Sequence, residues 1–307
     1  MNYSRYPAMV IWNFGYQCNM NCLHCYSRSL LGEREKMSKR NAEIISDKII
    51  CAGAMHVHFG GGEPLMRDDF FVIARKFHKA KLTMSLSSNG FFVDADMANR
   101  LSGLINMVGL SIYGSNQKSH EGFTRFPGSF AKLIEAQRLL QANGVANKFV
   151  VVLCAKTAPE TVNIIQLAHD LGVVGIQFYT MKTVGNAGSD PKLQLTPQEW
   201  RILYEDIFSE ANKYPDIKFD FGLDNDPVVA SYLGRELLPL PCACGRFSVV
   251  VKPSGDVSAC SLSMKVIGNL HRDSLLDLWQ KSPDLCRIRA EGISPCSLIK
   301  IDKFRNK

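Results

Sequence analysis

The chain has 307 residues and is 46% apolar, a globular composition with enough length for one large and one smaller domain. No stretch reaches the roughly 18 consecutive apolar residues of a membrane-crossing helix, and the opening MNYSRYPAMVIWNF lacks a secretory layout, so a cytoplasmic protein is expected. The net charge of +7 is mild, spread along the chain and unaccompanied by a nucleic-acid motif, so it reads first as a solvated basic surface.

Short apolar runs alternate with longer amphipathic stretches from residue 8 to about 212. Strands are expected at AMVIWNF (8–14), MHVHFG (55–60), LTMSLS (82–87), MVGLSIY (107–113), KFVVVLC (148–154) and VVGIQFY (173–179), each rich in Val, Ile or Phe and bounded by Gly, Asn or Ser. Helices are expected near 39–53, 68–79, 94–103, 128–143, 158–171 and 196–213. The last opens with Thr196, Pro197 and Glu199, a capping box with a proline start. Gly144 and Gly172 are helix stops. Six βα repeats predict a parallel sheet with right-handed crossovers. A complete eight-fold barrel takes about 250 residues, so an α/β fold built on a partial (βα)6 barrel is expected over residues 1–215. In such folds ligands sit at the C-terminal ends of the strands.

Beyond residue 215 the pattern changes, and residues 216–307 read as a smaller module. IKFDFGL suggests one more short strand. FSVVV and DVSAC suggest a hairpin turning at Pro253-Ser254-Gly255-Asp256, and SLLDLWQKS and LCRIRAEG suggest helices. Five of the ten cysteines fall here: Cys242, Cys244, Cys260, Cys286 and Cys296. In a reducing compartment clustered thiols are metal ligands or catalytic groups more often than disulfides.

Three more cysteines, Cys18, Cys22 and Cys25, lie in NFGYQCNMNCLHCYSR with spacing C-x3-C-x2-C, just after the first strand. Three thiolates suit a 4Fe-4S cluster that leaves one iron open to a small molecule; a zinc site or incidental thiols are the plainer alternatives. After the second strand comes FGGGEPLM, in which Gly61 and Gly62 permit close approach of backbone to a ligand and Glu63 offers a carboxylate to an ammonium group. Cys51 reads as core of a helix and Cys154 as core at the end of a strand. His56 and His58 alternate on one strand face and read as packing or polar lining.

The combination of C-x3-C-x2-C with GGEP one βα unit later resembles the radical S-adenosylmethionine (SAM) enzymes. The resemblance implies that SAM chelates the open iron through its amino and carboxylate groups, and that one electron cleaves it to a 5′-deoxyadenosyl radical. It places Ser88 and Asn89 of SSNG near the ribose, Ser111 and Arg125 near the SAM amino acid and carboxylate, and His24 against the adenine, with Gly61, Gly62 and Glu63 in the SAM-binding turn. Residues 242–260 and IGNLHRDSLLDLW resemble the SPASM/twitch extension of the same family, which implies an auxiliary iron–sulfur cluster. Cys242, Cys260 and Cys296 are its expected ligands, with Cys244, Cys286 or an open position as the fourth; a cysteine that is not a ligand could return a hydrogen atom to a substrate radical, as in the epimerases of the family.

SIYGSNQKSHEGFTRFPGSF is similar to a segment of ribosomal-peptide maturases, which implies crosslinking or epimerisation of a peptide. Many of those enzymes carry an N-terminal leader-binding domain, here expected to be a separate protein or absent. Tetrapyrrole modification and aminoglycoside dehydrogenation or epimerisation are the alternatives among enzymes, and an iron–sulfur electron carrier the alternative outside them. A ferredoxin- or flavodoxin-type electron donor and a peptide or small-molecule substrate are the expected partners.

Overall fold

The computed structural model describes residues 3–27, 37–221, 242–261, 263 and 265–291. It divides into two compact units: residues 1–17, 33–86 and 241–307 form one, and residues 18–32 and 87–240 the other.

In the first unit, β1 (Met9–Asn13), β2 (His56–Gly60) and β3 (Thr83–Ser88) run parallel in chain order. Helices α1 (Lys39–Cys51) and α2 (Phe70–Lys79) form the crossovers. Val10, Trp12, Val57, Phe59, Met84 and Leu86 alternate with less buried neighbours and are fully buried. Trp12, Phe14, Phe59, Phe70 and Phe77 pack as an aromatic cluster, with Trp12–Phe14 at 4.8 Å and Phe59–Phe70 at 5.1 Å, both edge-on. Each such pair adds about 0.5–1.5 kcal/mol beyond its buried area.

The C-terminal hairpin joins this unit. β8 (Ser248–Val251) pairs parallel with β1, and β9 (Asp256–Ser258) returns antiparallel beside it, followed by the two-residue β10 (Gly268–Asn269). All four residues of β8 are buried, which its Ser-Val-Val-Val sequence suits. Gly255 makes the expected turn at φ 81°. Helices α8 (Leu275–Lys281) and α9 (Pro283–Ala290) follow.

The second unit carries β4 (Met107–Ser111), β5 (Asn147–Leu153), β6 (Gly175–Thr180) and β7 (Lys218–Asp220), again parallel and in chain order. Its helices are α3 (Ala95–Leu101), α4 (Gln117–Thr124), α5 (Ser129–Ala142), α6 (Thr161–Asp170) and α7 (Pro197–Ala211). Both halves of the capping box at Thr196 and Glu199 are present. Gly144 and Gly172 hold left-handed conformations, φ 68° and 67°, just beyond α5 and α6.

Three local readings change. Residues 158–160 form a 3-10 turn with Pro159 in its first turn, and α6 starts only at Thr161. Helix α4 fills a stretch for which no helix was expected. Cys51 is exposed, not core: α1 buries Ala42, Ile45, Ser46 and Ile49, and its last residue turns away from that stripe.

Candidate functional site: two thiol groups and a glycine turn

Cys18, Cys22 and Cys25 lie half-buried on one loop in the second unit. The loop is tied down by backbone bonds from Asn21 to Thr124 and from Leu23 to Phe123, and by Asn186 N–H donating to the Cys25 carbonyl. The backbone N–H of Met20 donates to Cys18 Sγ at 3.5 Å. Asn89 donates to Asn19 Oδ1 at 2.8 Å and lies 3.8 Å from Cys18 Sγ. Its Oδ1 accepts from Phe91 N, and Ser88 Oγ accepts from Gly90 N, so the SSNG turn is self-bonded while the Asn89 amide nitrogen reaches the cysteine loop.

His24 sits between Cys22 and Cys25. Its ring lies 4.8 Å from that of Tyr113 and 5.1 Å from that of Phe123, and its Nε2 is 3.3 Å from the Tyr113 hydroxyl. Among the described residues, Nδ1 of His24 is buried with no hydrogen-bond partner. Burial holds the His24 imidazole down to about 4, so it is neutral at pH 7. Burial, and then the charge of Cys22, pushes the Tyr113 phenol well up; Ser111 bonds the same hydroxyl, and Cys25 and Cys18 add to the rise. All three loop cysteines are thus within electrostatic reach of one phenol. Tyr113 stands in the quoted SIYG run, yet nothing in the sequence signals its contact with His24. Arg125 is exposed and closes α4 in a left-handed conformation, φ 56°, with its N–H on the Glu121 carbonyl.

The Gly61-Gly62-Glu63 turn belongs to the first unit. A Cβ on Gly62 would stand 2.2 Å from the Gln17 carbonyl oxygen, and one on Gly61, at φ 105°, would stand 2.5 Å from that of Gly15. The close approach these glycines permit is therefore that of the chain's own loop, bound by Gly62 N–H to Gly15 O and Glu63 N–H to Gln17 O. Glu63 is 3% exposed, and its Oε1 accepts from Leu65 N at 3.2 Å. A cavity of about 300 Å³ opens beside it, lined by Tyr16, Gln17, Ser38, Arg67 and Asp69 among others. Arg67 and Asp69 form a two-pronged ion pair at 2.9 and 2.6 Å.

The second thiol group also lies in the first unit. Cys244 is hydrogen-bonded to both Cys242 and Cys260, and those bonds, with burial, hold its thiol far above the usual range. The carbonyl of Ala243 accepts from Arg246, Phe247 and Ser248, a tight turn around the pair Cys242 and Cys244. Arg246 is 2% exposed; its guanidinium donates to Ile288 O at 2.6 Å and to Cys242 O at 3.4 Å. Cys286 is elsewhere: exposed on α9, it bonds Gln280 O at 3.5 Å beside a cavity of about 390 Å³ lined by Tyr3, Arg5, Trp279 and Arg289. Cys296 lies outside the described residues.

Among the described residues, no three His, Cys, Asp or Glu side chains close on one point as a single metal ion requires. Three thiols distributed along a loop are a donor set for a multi-iron cluster, whose irons stand apart. The orphaned Nδ1 beside them fits a loop that closes around a further group. The Cys242, Cys244 and Cys260 set is likewise all sulfur, suited to iron–sulfur ligation.

Residues 12–168 match the family model of the radical SAM superfamily, and residues 242–299 match that of an iron–sulfur cluster-binding domain, SPASM. The AdoMet-dependent haem synthase of Methanosarcina barkeri is 23% identical over 300 residues, covering 92% of this chain and 85% of the synthase. The mycofactocin maturase MftC of Mycobacterium ulcerans is 25% identical over 291 residues, covering 92% of this chain and 77% of MftC. Crystal structures of Streptococcus suis SuiB, bound to S-adenosylmethionine or to precursor peptide SuiA, superpose with a TM-score of 0.76 over 94% of this chain and 69% or 68% of SuiB, at 15% or 14% identity. That likeness shows the fold: an α/β partial barrel with a C-terminal SPASM extension.

Proposed function

The chain belongs to the radical SAM superfamily, and from this premise we propose that it matures a ribosomally made peptide by an oxidative crosslink. It is a radical SAM enzyme with a SPASM domain, and its cofactors are SAM, a SAM-binding 4Fe-4S cluster and an auxiliary iron–sulfur cluster. Bound together, the first cluster and SAM supply a 5′-deoxyadenosyl radical.

The chain's own residues supply the rest. Cys18, Cys22 and Cys25 hold the first cluster, with Asn89 bracing their loop through Asn19. Glu63 would accept from the SAM ammonium, and Gly61 and Gly62 let the turn close against residues 15–17. His24, held by Tyr113, would meet the adenine, and Ser88, Ser111 and Arg125 would complete the SAM contacts, as the family resemblance implies. Cys242, Cys244 and Cys260 hold the auxiliary cluster, and Cys296 is the remaining candidate ligand.

One observation carries the choice of reaction. Cys244 is bonded into the Cys242–Cys260 set, which favours a ligand over a spare hydrogen donor and hence oxidation over epimerisation. Cys286 is then the one proposed thiol donor left for an epimerase. The peptide class is supported by the maturase relative and by the residue 111–130 segment; the haem synthase relative supports modification of a tetrapyrrole side chain as the second reading. An electron from a ferredoxin- or flavodoxin-type donor starts each turnover.

The test is an anaerobic incubation of reconstituted enzyme with SAM, dithionite and a short Cys- or Gly-rich peptide from any reading frame that neighbours its gene. In parallel, an iron porphyrin bearing propionate side chains replaces the peptide. Loss of two hydrogens from the peptide, read by mass spectrometry, is expected. Unchanged peptide with decarboxylated porphyrin would replace this reading with the second.

A further inference from the structure

Ser4 is held at both of its backbone groups. Its N–H donates to Arg246 O at 2.8 Å, and its carbonyl accepts from Trp279 Nε1 at 3.0 Å. That pins the flanking Tyr3 and Arg5 beside α8 and α9, where they line the cavity of about 390 Å³ together with Trp279, Gln280, Cys286 and Arg289. All six belong to the first unit. The volume falls in the range of small-molecule sites, roughly 300–1,000 Å³.

Arg289 is fixed in the cavity wall. Its Nε donates to Gly245 O at 2.8 Å and its Nη1 to Trp279 O at 2.6 Å. Its central carbon lies 4.1 Å from the centre of the Trp279 ring and 4.9 Å from that of Tyr3. Nη2 is buried and, among the described residues, has no hydrogen-bond partner. A guanidinium keeps its charge inside a protein, and a buried donor left unpaired is costly. The charges that act on Arg289 come from Cys286, Tyr3 and Arg246, with no carboxylate among them. None of the lining residues is acidic. The acids of the two helices are committed elsewhere: Asp277 to Lys281 and Asp284 to Lys265, while Glu291, just beyond α9, pairs with Arg287. Arg5, on the opposite side of Ser4 from Tyr3, is exposed. Two cations therefore share one concave site that brings no anion of its own.

We propose that this cavity is a binding site for a small oxyanion, a carboxylate or phosphate group held between Arg5 and Arg289. Guanidinium groups present forked N–H donors in the geometry that such oxygens accept. Arg289 supplies a fixed charge and the unspent Nη2 donor, and Arg5 closes on the anion from the solvent side. The Tyr3 ring, 39% exposed, offers an apolar wall to the rest of a metabolite-sized ligand. The site is joined to the auxiliary thiol group through Arg289, whose Nε holds the carbonyl of Gly245, the residue after Cys244. It stands apart from the reaction proposed above and is tested without it.

Cys286, exposed on the cavity wall, reports occupancy, and Cys51, exposed on α1, is the control. The test is iodoacetamide labelling of the anaerobic holoenzyme with peptide mass mapping, in phosphate, in glutarate and in chloride of equal ionic strength. Phosphate or glutarate should slow alkylation of Cys286 several-fold and saturably against chloride, with Cys51 unaffected. The anion that slows it more names the group the site takes. Arg5→Gln should remove the protection and Arg5→Lys should keep part of it. Arg5 is exposed, so neither variant disturbs the core. Equal labelling of Cys286 in all three salts, equal slowing at Cys51, or full protection in Arg5→Gln overturns the site.

Discussion

The two thiol groups are built in opposite ways. Cys18, Cys22 and Cys25 sit on an irregular loop, half-buried, and what steadies them is borrowed: an amide from Asn89, ring contacts from Tyr113 and Phe123, backbone bonds to residues 123, 124 and 186. Cys242, Cys244 and Cys260 sit on a tight turn and a hairpin strand end, and their thiols bond one another. A loop whose supports are distributed can open a position for an exchangeable ligand. A self-bonded set around a guanidinium-locked turn has little room for one, and suits electron transfer without ligand exchange.

The largest expected effect separates the two sets. Replacing Cys18, Cys22 and Cys25 together by Ala should remove about four of roughly eight irons and abolish 5′-deoxyadenosine formation. Replacing Cys242 and Cys260 should remove the other iron and leave SAM cleavage measurable. Iron analysis that shows both clusters lost in either variant would break the comparison.

A sharper cut lies inside the second group. Cys244→Ala should lose auxiliary iron, because its thiol sits between two others. Cys286→Ala should keep all iron, because Cys286 is exposed on α9 and bonded to a backbone carbonyl. If Cys286→Ala keeps iron and SAM cleavage but forms no product, Cys286 is a hydrogen donor and epimerisation displaces crosslinking.

The sequence made the strands and most helices legible because apolar periodicity and end signals agreed, as at Thr196 and Gly172. Helix α4 was not legible: Gln117–Thr124 is polar, and its Asn116 cap was read only as part of a motif. Nothing local announces that β8 pairs with β1, since the two strands are separated by most of the chain. Gly61 and Gly62 signal a close backbone approach to a ligand, and only the fold shows that carbonyls of residues 15 and 17 occupy the space their Cβ atoms would take. The same limit applied to the cysteines: their spacing was visible, the bonding of Cys244 to both neighbours was not.

The borrowed supports of the first group include a titrating one. His120 is fully buried, its Nδ1 accepts from Tyr113 N at 3.3 Å, and burial lowers its pKa to about 4. The unfolded chain takes up that proton near pH 6.5. Between pH 6.5 and 4 the unfolded state binds more protons, so stability falls as pH falls through this window, by up to about 3 kcal/mol for this residue. His120→Phe should flatten the acid limb of a melting-temperature profile, and an unchanged limb would remove His120 from the set of supports.

Glu63→Gln tests the ligand side. A neutral amide in place of the carboxylate should weaken SAM binding by about 1.5–3 kcal/mol, the worth of a hydrogen bond to a charged group. Equilibrium dialysis with labelled SAM reads the change. Equal affinity would confine Glu63 to its cap on Leu65.

The smallest effect bears on how finely the loop is held. Tyr113→Phe keeps the ring stacked on Phe123 at 4.6 Å and removes only the hydroxyl. That hydroxyl is bonded to Ser111 and to Nε2 of His24. Losing a neutral hydrogen bond of this kind costs about 0.5–1.5 kcal/mol. If the hydroxyl merely fills space, the cost appears in the melting temperature and SAM affinity is untouched. If it orients His24, the ring gains freedom next to Cys22 and Cys25, and SAM affinity falls a few-fold while iron content holds. His24→Phe then separates ring from nitrogen: it should match Tyr113→Phe in SAM affinity if the bond to Nε2 is what positions the ring, and exceed it if the buried Nδ1 also meets the cofactor.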